Sequence, residues 1–367
     1  MRSCLPACLY SLVFLLLDLT RLDWQAAVVL LPRITTGLLS ALGDTVCYGW
    51  VRRREGRATA AWWLLLANTN WFALYSGSRT LVTSLEYVLV CLTLAAHPRP
   101  AYLGLVAVSV MLRPTAALVW LPVVLPHLLT TARQRGLPAL VGLLVRPVLA
   151  AAALVLLDSA WYGRWTLTPY NFFLVNVSYG LASVYGVQPV FWYLSHALPS
   201  ILGPVVFAAV LGMPHCPALV TAPLASTLIT LSLQPHKEMR FLHCLLPLLL
   251  YSAAGWLARR EGGPPPARWV ASLALLSTPP ALYLSLVHQR GVTAAAQWLG
   301  SNPAVQSALY LLPCHGAPLY SHAHRPALSL AFLTCQPNLT GAADHVDQAD
   351  LFYSGPANIA VAGRASA

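Results

Sequence analysis

His236-Lys237-Glu238-Met239-Arg240-Phe241 packs a histidine, two permanent cations and a carboxylate into one short stretch between apolar runs. Lys237 is the only lysine in the chain. Charged groups near the bilayer centre cost roughly 2.5–3.5 kcal/mol each on insertion scales, so they are usually paired, wet or functional. One reading is a helix-end anchor whose charges neutralise each other. The favoured one is an anion site. Arg240 would grip a phosphate with its bidentate fork, Lys237 would act as a point charge, and Glu238 would orient both beside His236.

Two further breaks interrupt apolar sequence. At Arg113-Pro114-Thr115 the proline removes a backbone donor, and the arginine must find an anion, a carbonyl or water. Ser78-Arg79-Thr80 is followed by Glu86; Arg79 and Glu86 lie two helical turns apart, so an ion network along one face rivals ligand contact there. Asn171 and Trp192 stand in an aromatic stretch from Trp161 to Tyr193. An interfacial aromatic belt accounts for any single ring, and a sugar-binding wall is the alternative. His315, His322 and His324 with Cys314 have spacing that permits a metal, but no second Cys pair or carboxylate cluster completes a tetrahedral set, so no metal is expected.

The elements that hold these residues follow from composition. Of 367 residues, 57% are hydrophobic and 9% charged, with a mean hydropathy of +0.64. So little charge cannot cover a water-facing surface; lipid is the main solvent. The formal charge of +11 would suit nucleic acid, but the arginines sit between apolar runs and not along one aromatic-lined face, so no nucleic-acid partner is expected. The apolar runs predict an all-α polytopic bundle of about nine to eleven spans, running from residue 25 to residue 287. The start, Met1 to Leu17, imitates a signal peptide without a cleavage site and reads as a short membrane or interfacial helix.

The basic groups Arg52–Arg57, Arg99, Arg133 with Arg135, and Arg259–Arg268 mark alternate loops, which the positive-inside rule places in the cytosol. The opposite face then receives the loop 158–199, the 236–241 cluster and the tail from residue 288. Both sequons, at Asn176 and Asn338, fall on that face and are glycosylation candidates. The expected division is a transmembrane region 1–287 and a small lumenal domain 288–367. Cys314 and Cys335 lie in that tail, where an oxidising lumen would allow a disulfide.

The cluster at 236–241 resembles the HKExRF signature of the dolichyl-phosphate-mannose-dependent mannosyltransferases, a GT-C group related to the GT22 enzymes that works in GPI-anchor and N-glycan assembly. Other stretches are similar to the GPI mannosyltransferase III branch of that family: Ser78-Arg79-Thr80 with Glu86, Arg113-Pro114-Thr115, Asn171-Phe172, Tyr185-Gly186 before Trp192-Tyr193, Val287 to Gly291, Leu312 to His315, Tyr320-Ser321-His322, Asn338 to Gly341 and Ala349 to Tyr353. The resemblance runs from about Asp23 to Asn358. It implies a GT-C-like multi-pass protein of the endoplasmic reticulum membrane, among whose lipids it works. There it would add the third, α1,2-linked mannose from dolichyl-phosphate mannose to a GPI precursor. It implies no cofactor and no metal.

That chemistry needs a clamp on the departing lipid phosphate and a base on the acceptor hydroxyl. Family members carry an acidic Pro-Asp-Glu-like motif in a first lumenal loop, whose Asp looks like the base. No stretch of this chain matches it, and Asp18 and Asp23 do not fit the pattern. The expectation is of a form shortened at its N-terminus and incomplete at its tail, whose activity is left open. Two rivals remain: a lipid-linked oligosaccharide α-mannosyltransferase of N-glycosylation, and a non-enzymatic transporter or scaffold.

Overall fold

A computed structural model describes residues 3–179, 186–313, 316–335 and 346–355. The chain is helical almost throughout. In order, α1 spans Leu5–Thr20, α2 Gln25–Thr69, α3 Trp71–Gly77, α4 Val82–Ala96, α5 Ala101–Leu112, α6 Ala116–Tyr162 and α7 Thr168–Phe173. A π-helical turn, Tyr193–Ala197, leads into α8 (Leu198–Leu202) and α9 (Val205–Gly212). Then come α10 (Ala218–Leu233), a 3₁₀ segment Met239–Leu245 that runs into α11 (Leu246–Glu261), and α12 (Ala267–Leu282).

The chain divides into two compact units. The larger comprises Met1–Val13 and Pro32–Ser285. Its core is built on Trp62, Trp63, Trp120 and Tyr193, all at most 1% exposed. Buried indole N–H groups need acceptors in a dry interior. Trp63 donates to the Pro247 carbonyl at 3.0 Å and Trp62 to the Gly263 carbonyl at 2.9 Å, so two core rings also lock α2 to both ends of α11. The smaller unit comprises Phe14–Leu31 and the chain from Leu286 on. It holds α13 (Arg290–Ser301), α14 (Tyr320–Ala323), α15 (Gln348–Ser354) and a parallel pair of short strands, β1 (Ser307–Tyr310) and β2 (Ser329–Phe332), in register Ser307 to Ser329. Those two strands are a small departure from an all-α chain. Cys335 is disulfide-bonded, whereas Cys314, His315, Tyr185 and the Asn338 sequon lie outside the described residues.

Among the described residues, four helical stretches are long and apolar enough to cross a membrane, or six if two bent pairs each count as one span. Two of the four, α2 and α6, are 45 and 47 residues long and each bends at an interior glycine. Helices α1, α5 and α10 are apolar but only 12 to 16 residues long. The stretch from Met239 to Glu261 is the inner one: 83% of its apolar run is buried, against 22%, 17% and 11% for the other three. Those outer stretches leave Leu38, Leu149 and Leu275 more than 60% exposed, as lipid-facing helices do.

The basic segments at 52–57 and 133–135 are not loops. Arginine is a good helix former, and both segments continue helically except at one residue each. Gly56 (φ 89°, ψ 178°) breaks α2 and Gly136 (φ 76°, ψ −179°) breaks α6. That backbone region is essentially open to glycine alone. One residue therefore divides two helices without a connecting loop.

Candidate functional site

Helix α10 ends where Gln234 turns extended and Pro235 denies the next turn its backbone donor. The chain crosses in extended form to Glu238 and re-enters helix at Met239. Leu242, His243, Cys244 and Leu245 are buried immediately afterwards, so the polar turn is set by the most deeply packed helix of the bundle.

Glu238 is the hub of the turn. Its Oε1 accepts from His236 Nε2 at 2.9 Å and from Arg240 Nη2 at 2.8 Å, and its Oε2 pairs with Arg240 Nε. Burial alone would push its carboxyl up, but the hydrogen bonds and charges of Arg240 and His236 outweigh that and hold it below the ordinary glutamate value. The other nitrogen of His236, Nδ1, faces the Gly186 carbonyl at 3.3 Å. Arg240 keeps its side chain 43% exposed.

Lys237 points elsewhere. The residue is 5% exposed, and its Nζ donates to the carbonyls of Gln188, at 3.0 Å, and Gln234. Burial lowers its pKa from the ordinary lysine value. The Gln188 amide in turn donates to the Pro235 carbonyl at 3.0 Å.

Arg113 caps α5 and reaches the cluster from behind. Its Nη1 donates to Glu86 Oε2 at 2.8 Å, with Glu86 1% exposed, and its guanidinium lies 4.7 Å from the centre of the Phe241 ring. Phe241 meets the His236 ring edge-to-face at 5.8 Å. Glu86, Arg113, Phe241, His236, Glu238 and Arg240 thus form one contiguous chain of contacts. Tyr193, fully buried, lies beside Arg113 and Glu238.

The structure does not bring every candidate to this place. The Arg79–Glu86 network does not form: α4 begins at Val82, so the two residues share no helical face, and Glu86 pairs with Arg113 instead. Arg79 stacks on Tyr75 at 3.7 Å. Trp192 packs edge-to-face on Tyr193 at 5.3 Å, next to the site. Asn171 lies on α7, and no hydrogen bond among the described residues joins it to the cluster. Asn176 lies in the π-helical turn Leu174–Ser178 and donates to the Phe172 carbonyl at 2.9 Å. Among the described residues no group of three or more His, Cys, Asp or Glu side chains could hold a metal ion.

Sequence reasoning passed over Asp158 and Gln188, and gave Tyr193 no role of its own. Asp158 is fully buried and accepts from Ser3 Oγ, Thr168 Oγ1 and the Cys4 amide at 2.7 to 2.9 Å, which ties three segments together and makes it a structural carboxylate. Gln188 contributes only backbone, which no side-chain pattern could signal.

Residues 1–324 match the Alg9-like mannosyltransferase family. The chain is 34% identical to GPI alpha-1,2-mannosyltransferase 3 of Danio rerio over 95% of its own length and 67% of that protein's. It is 35% identical to GPI mannosyltransferase 3 of Drosophila melanogaster, over 97% of this chain and 66% of that one. With GPI alpha-1,2-mannosyltransferase 3 of Homo sapiens the figures are 31%, 98% and 67%. The chain therefore spans about two thirds of the length of these relatives. Among solved structures, it is similar in fold to ArnT from Cupriavidus metallidurans bound to undecaprenyl phosphate. The TM-score is 0.51 at 17% identity, covering 74% of this chain and 52% of that one.

Proposed function

Because this chain belongs to the Alg9-like mannosyltransferase family, a group of multi-pass membrane glycosyltransferases, we propose that it adds the third, α1,2-linked mannose to a GPI precursor. The observation that carries this reading is the similarity, along nearly the whole chain, to proteins named GPI alpha-1,2-mannosyltransferase 3 in several animals. Their names imply a glycolipid acceptor, and the membrane-embedded helices suit a lipid-linked donor. In finer terms, the donor is dolichyl-phosphate mannose and the compartment is the lumenal side of the endoplasmic reticulum. No cofactor is required.

In this reading the transfer breaks the bond between mannose C1 and the donor phosphate, and the acceptor hydroxyl attacks C1 as the phosphate leaves, its proton passing to water or a general base. The chemical demand on the clamp is a cation that gains contact as negative charge builds on the phosphate oxygens. Arg240 meets it. It is exposed, it presents a planar fork, and Glu238 holds it in one orientation. His236 bonds the same carboxylate and so helps to hold it in place. Trp192 offers a flat face near the cluster for the sugar.

The test is expression in cells that lack third-mannose transfer. Microsomes supplied with radiolabelled dolichyl-phosphate mannose should place label in a GPI glycolipid, releasable by an α1,2-mannosidase. Label appearing instead in lipid-linked oligosaccharide, or transport of a solute without any transfer, would replace this reading.

A further inference from the structure

We propose that Lys237 is a positioning residue and not a ligand of the donor phosphate: it fastens the loop from Gly186 to Pro189 onto the end of α10 and so fixes Trp192 and the neighbouring Tyr193, which lies beside Glu238. The inference rests on the donor-site reading given above for what Arg240 does, but the fastening itself stands on geometry alone.

Three contacts join the two segments within a few residues. Lys237 Nζ donates to the Gln188 carbonyl at 3.0 Å, the Gln188 amide donates to the Pro235 carbonyl at 3.0 Å, and His236 Nδ1 lies 3.3 Å from the Gly186 carbonyl. Lys237 Nζ also donates to the carbonyl of Gln234, within its own turn. An ammonium has three donors, and two are committed to carbonyls inside the fold. A phosphate could recruit Lys237 only by stripping those carbonyls of their partner, and buried carbonyls without a partner are costly. Arg240 faces no such obstacle. Its side chain is 43% exposed where Lys237 is 5% exposed, and the carboxylate it leans on is itself 29% exposed.

The loop so held is otherwise weakly supported. Residues 186–191 are all exposed, and Gly186 has φ +100°. Immediately after it come Trp192, which packs on the core, and Tyr193, fully buried beside Glu238 and Arg113. The lysine therefore lies where the exposed loop is tied to the turn that carries Arg240. Removing it should loosen the loop and misplace the aromatic wall while leaving the phosphate contact in place.

The experiment compares the full chain in lipid nanodiscs with its Lys237→Met and Arg240→Met variants. The first readout is amide hydrogen exchange across residues 186–193. The second is inhibition of transfer by dolichyl phosphate, which reports phosphate contact without the sugar. Lys237→Met should speed loop exchange about tenfold and lower kcat, while the dolichyl phosphate inhibition constant moves by less than about threefold. Arg240→Met should do the opposite, with loop exchange as in the wild type and dolichyl phosphate affinity reduced about tenfold or more, as loss of a charge-assisted contact implies. If Lys237→Met weakens dolichyl phosphate as much as Arg240→Met does and leaves loop exchange unchanged, the lysine is a phosphate ligand and the proposal is wrong. Should Lys237→Met fail to fold, Gln188→Pro deletes the reciprocal backbone bond with the lysine intact. It must loosen the same loop, and normal exchange there would also overturn the fastening. Failure of dolichyl phosphate to inhibit the wild type would sink the donor-site reading, and the exchange comparison would still decide what Lys237 does.

Discussion

Lys237 and Arg240 lie three positions apart and carry the same charge, yet the fold gives them opposite surroundings. The lysine turns inward to carbonyls, and the arginine turns outward against a carboxylate. Glu238 decides the second outcome, and its titration offers a way to see it. Its folded-state pKa lies below the ordinary value of 4.5, so the native protein binds fewer protons there than the unfolded chain. Its stabilising contribution is complete above that ordinary value and drains away as pH falls through the lower folded value. Between about pH 6 and pH 3 the thermal midpoint in detergent should fall by about 1–3 °C more for the wild type than for Glu238→Gln, a small margin because the pair is partly solvated. Equal slopes for the two proteins would mean that the carboxylate is not held as described. The cluster was legible in the sequence as a density of charge, because few residues elsewhere carry any. Which cation faced out was not legible, since that depends on two backbone carbonyls with no side-chain signature.

Among the helices, the clearest long-range electrostatic link is Glu86 of α4 with Arg113 at the end of α5. Glu86 is 1% exposed, so removing one partner leaves a buried charge without compensation, at a cost of about 3–5 kcal/mol. Glu86→Gln and Arg113→Met should each lower the thermal midpoint strongly, and the double variant should lose clearly less than their sum. An additive result would show that the pair is not coupled. A second contact is steric. A Cβ on Gly212 would sit 2.2 Å from the Ser252 carbonyl of α11, a backbone atom that cannot swing aside. Gly212→Ala should therefore destabilise by about 1–3 kcal/mol, whereas Gly142→Ala, with nothing within 4 Å, should be neutral or mildly stabilising. Equal midpoints for the two would remove the close α9–α11 approach from the account. Small residues at helix crossings are ordinary in membrane bundles, where close backbone packing replaces the hydrophobic drive. Helix existence was readable from apolar runs, and Arg113-Pro114 did mark a helix end. The partner of Glu86 was misjudged because Ser78–Leu81 is a turn, which makes sequence spacing from Arg79 meaningless as a helical face.

For the molecule as a whole, composition alone required lipid as solvent, and the helical bundle agrees. The segmentation did not follow as directly, because apolar length says where helices run and not where one residue interrupts them. Gly56 and Gly136 are such interruptions, and both sit among arginines: Arg52, Arg53, Arg54 and Arg57 around the first, Arg133 and Arg135 around the second. A basic stretch between two spans would ordinarily be an exposed, extended tether that a protease can bind. Here the arginines stay in hydrogen-bonded helix up to the glycine on either side. On the cytosolic placement that their charge favours, intact vesicles treated with trypsin should keep both corners uncut at doses that cleave a flexible arginine-bearing loop. Gly56→Ala, strained by about 1–3 kcal/mol at a φ of 89°, should open the first corner to cleavage. The outward face of the protein would then be armoured at the sites whose chemistry most invites attack, with a single missing side chain providing the protection at each.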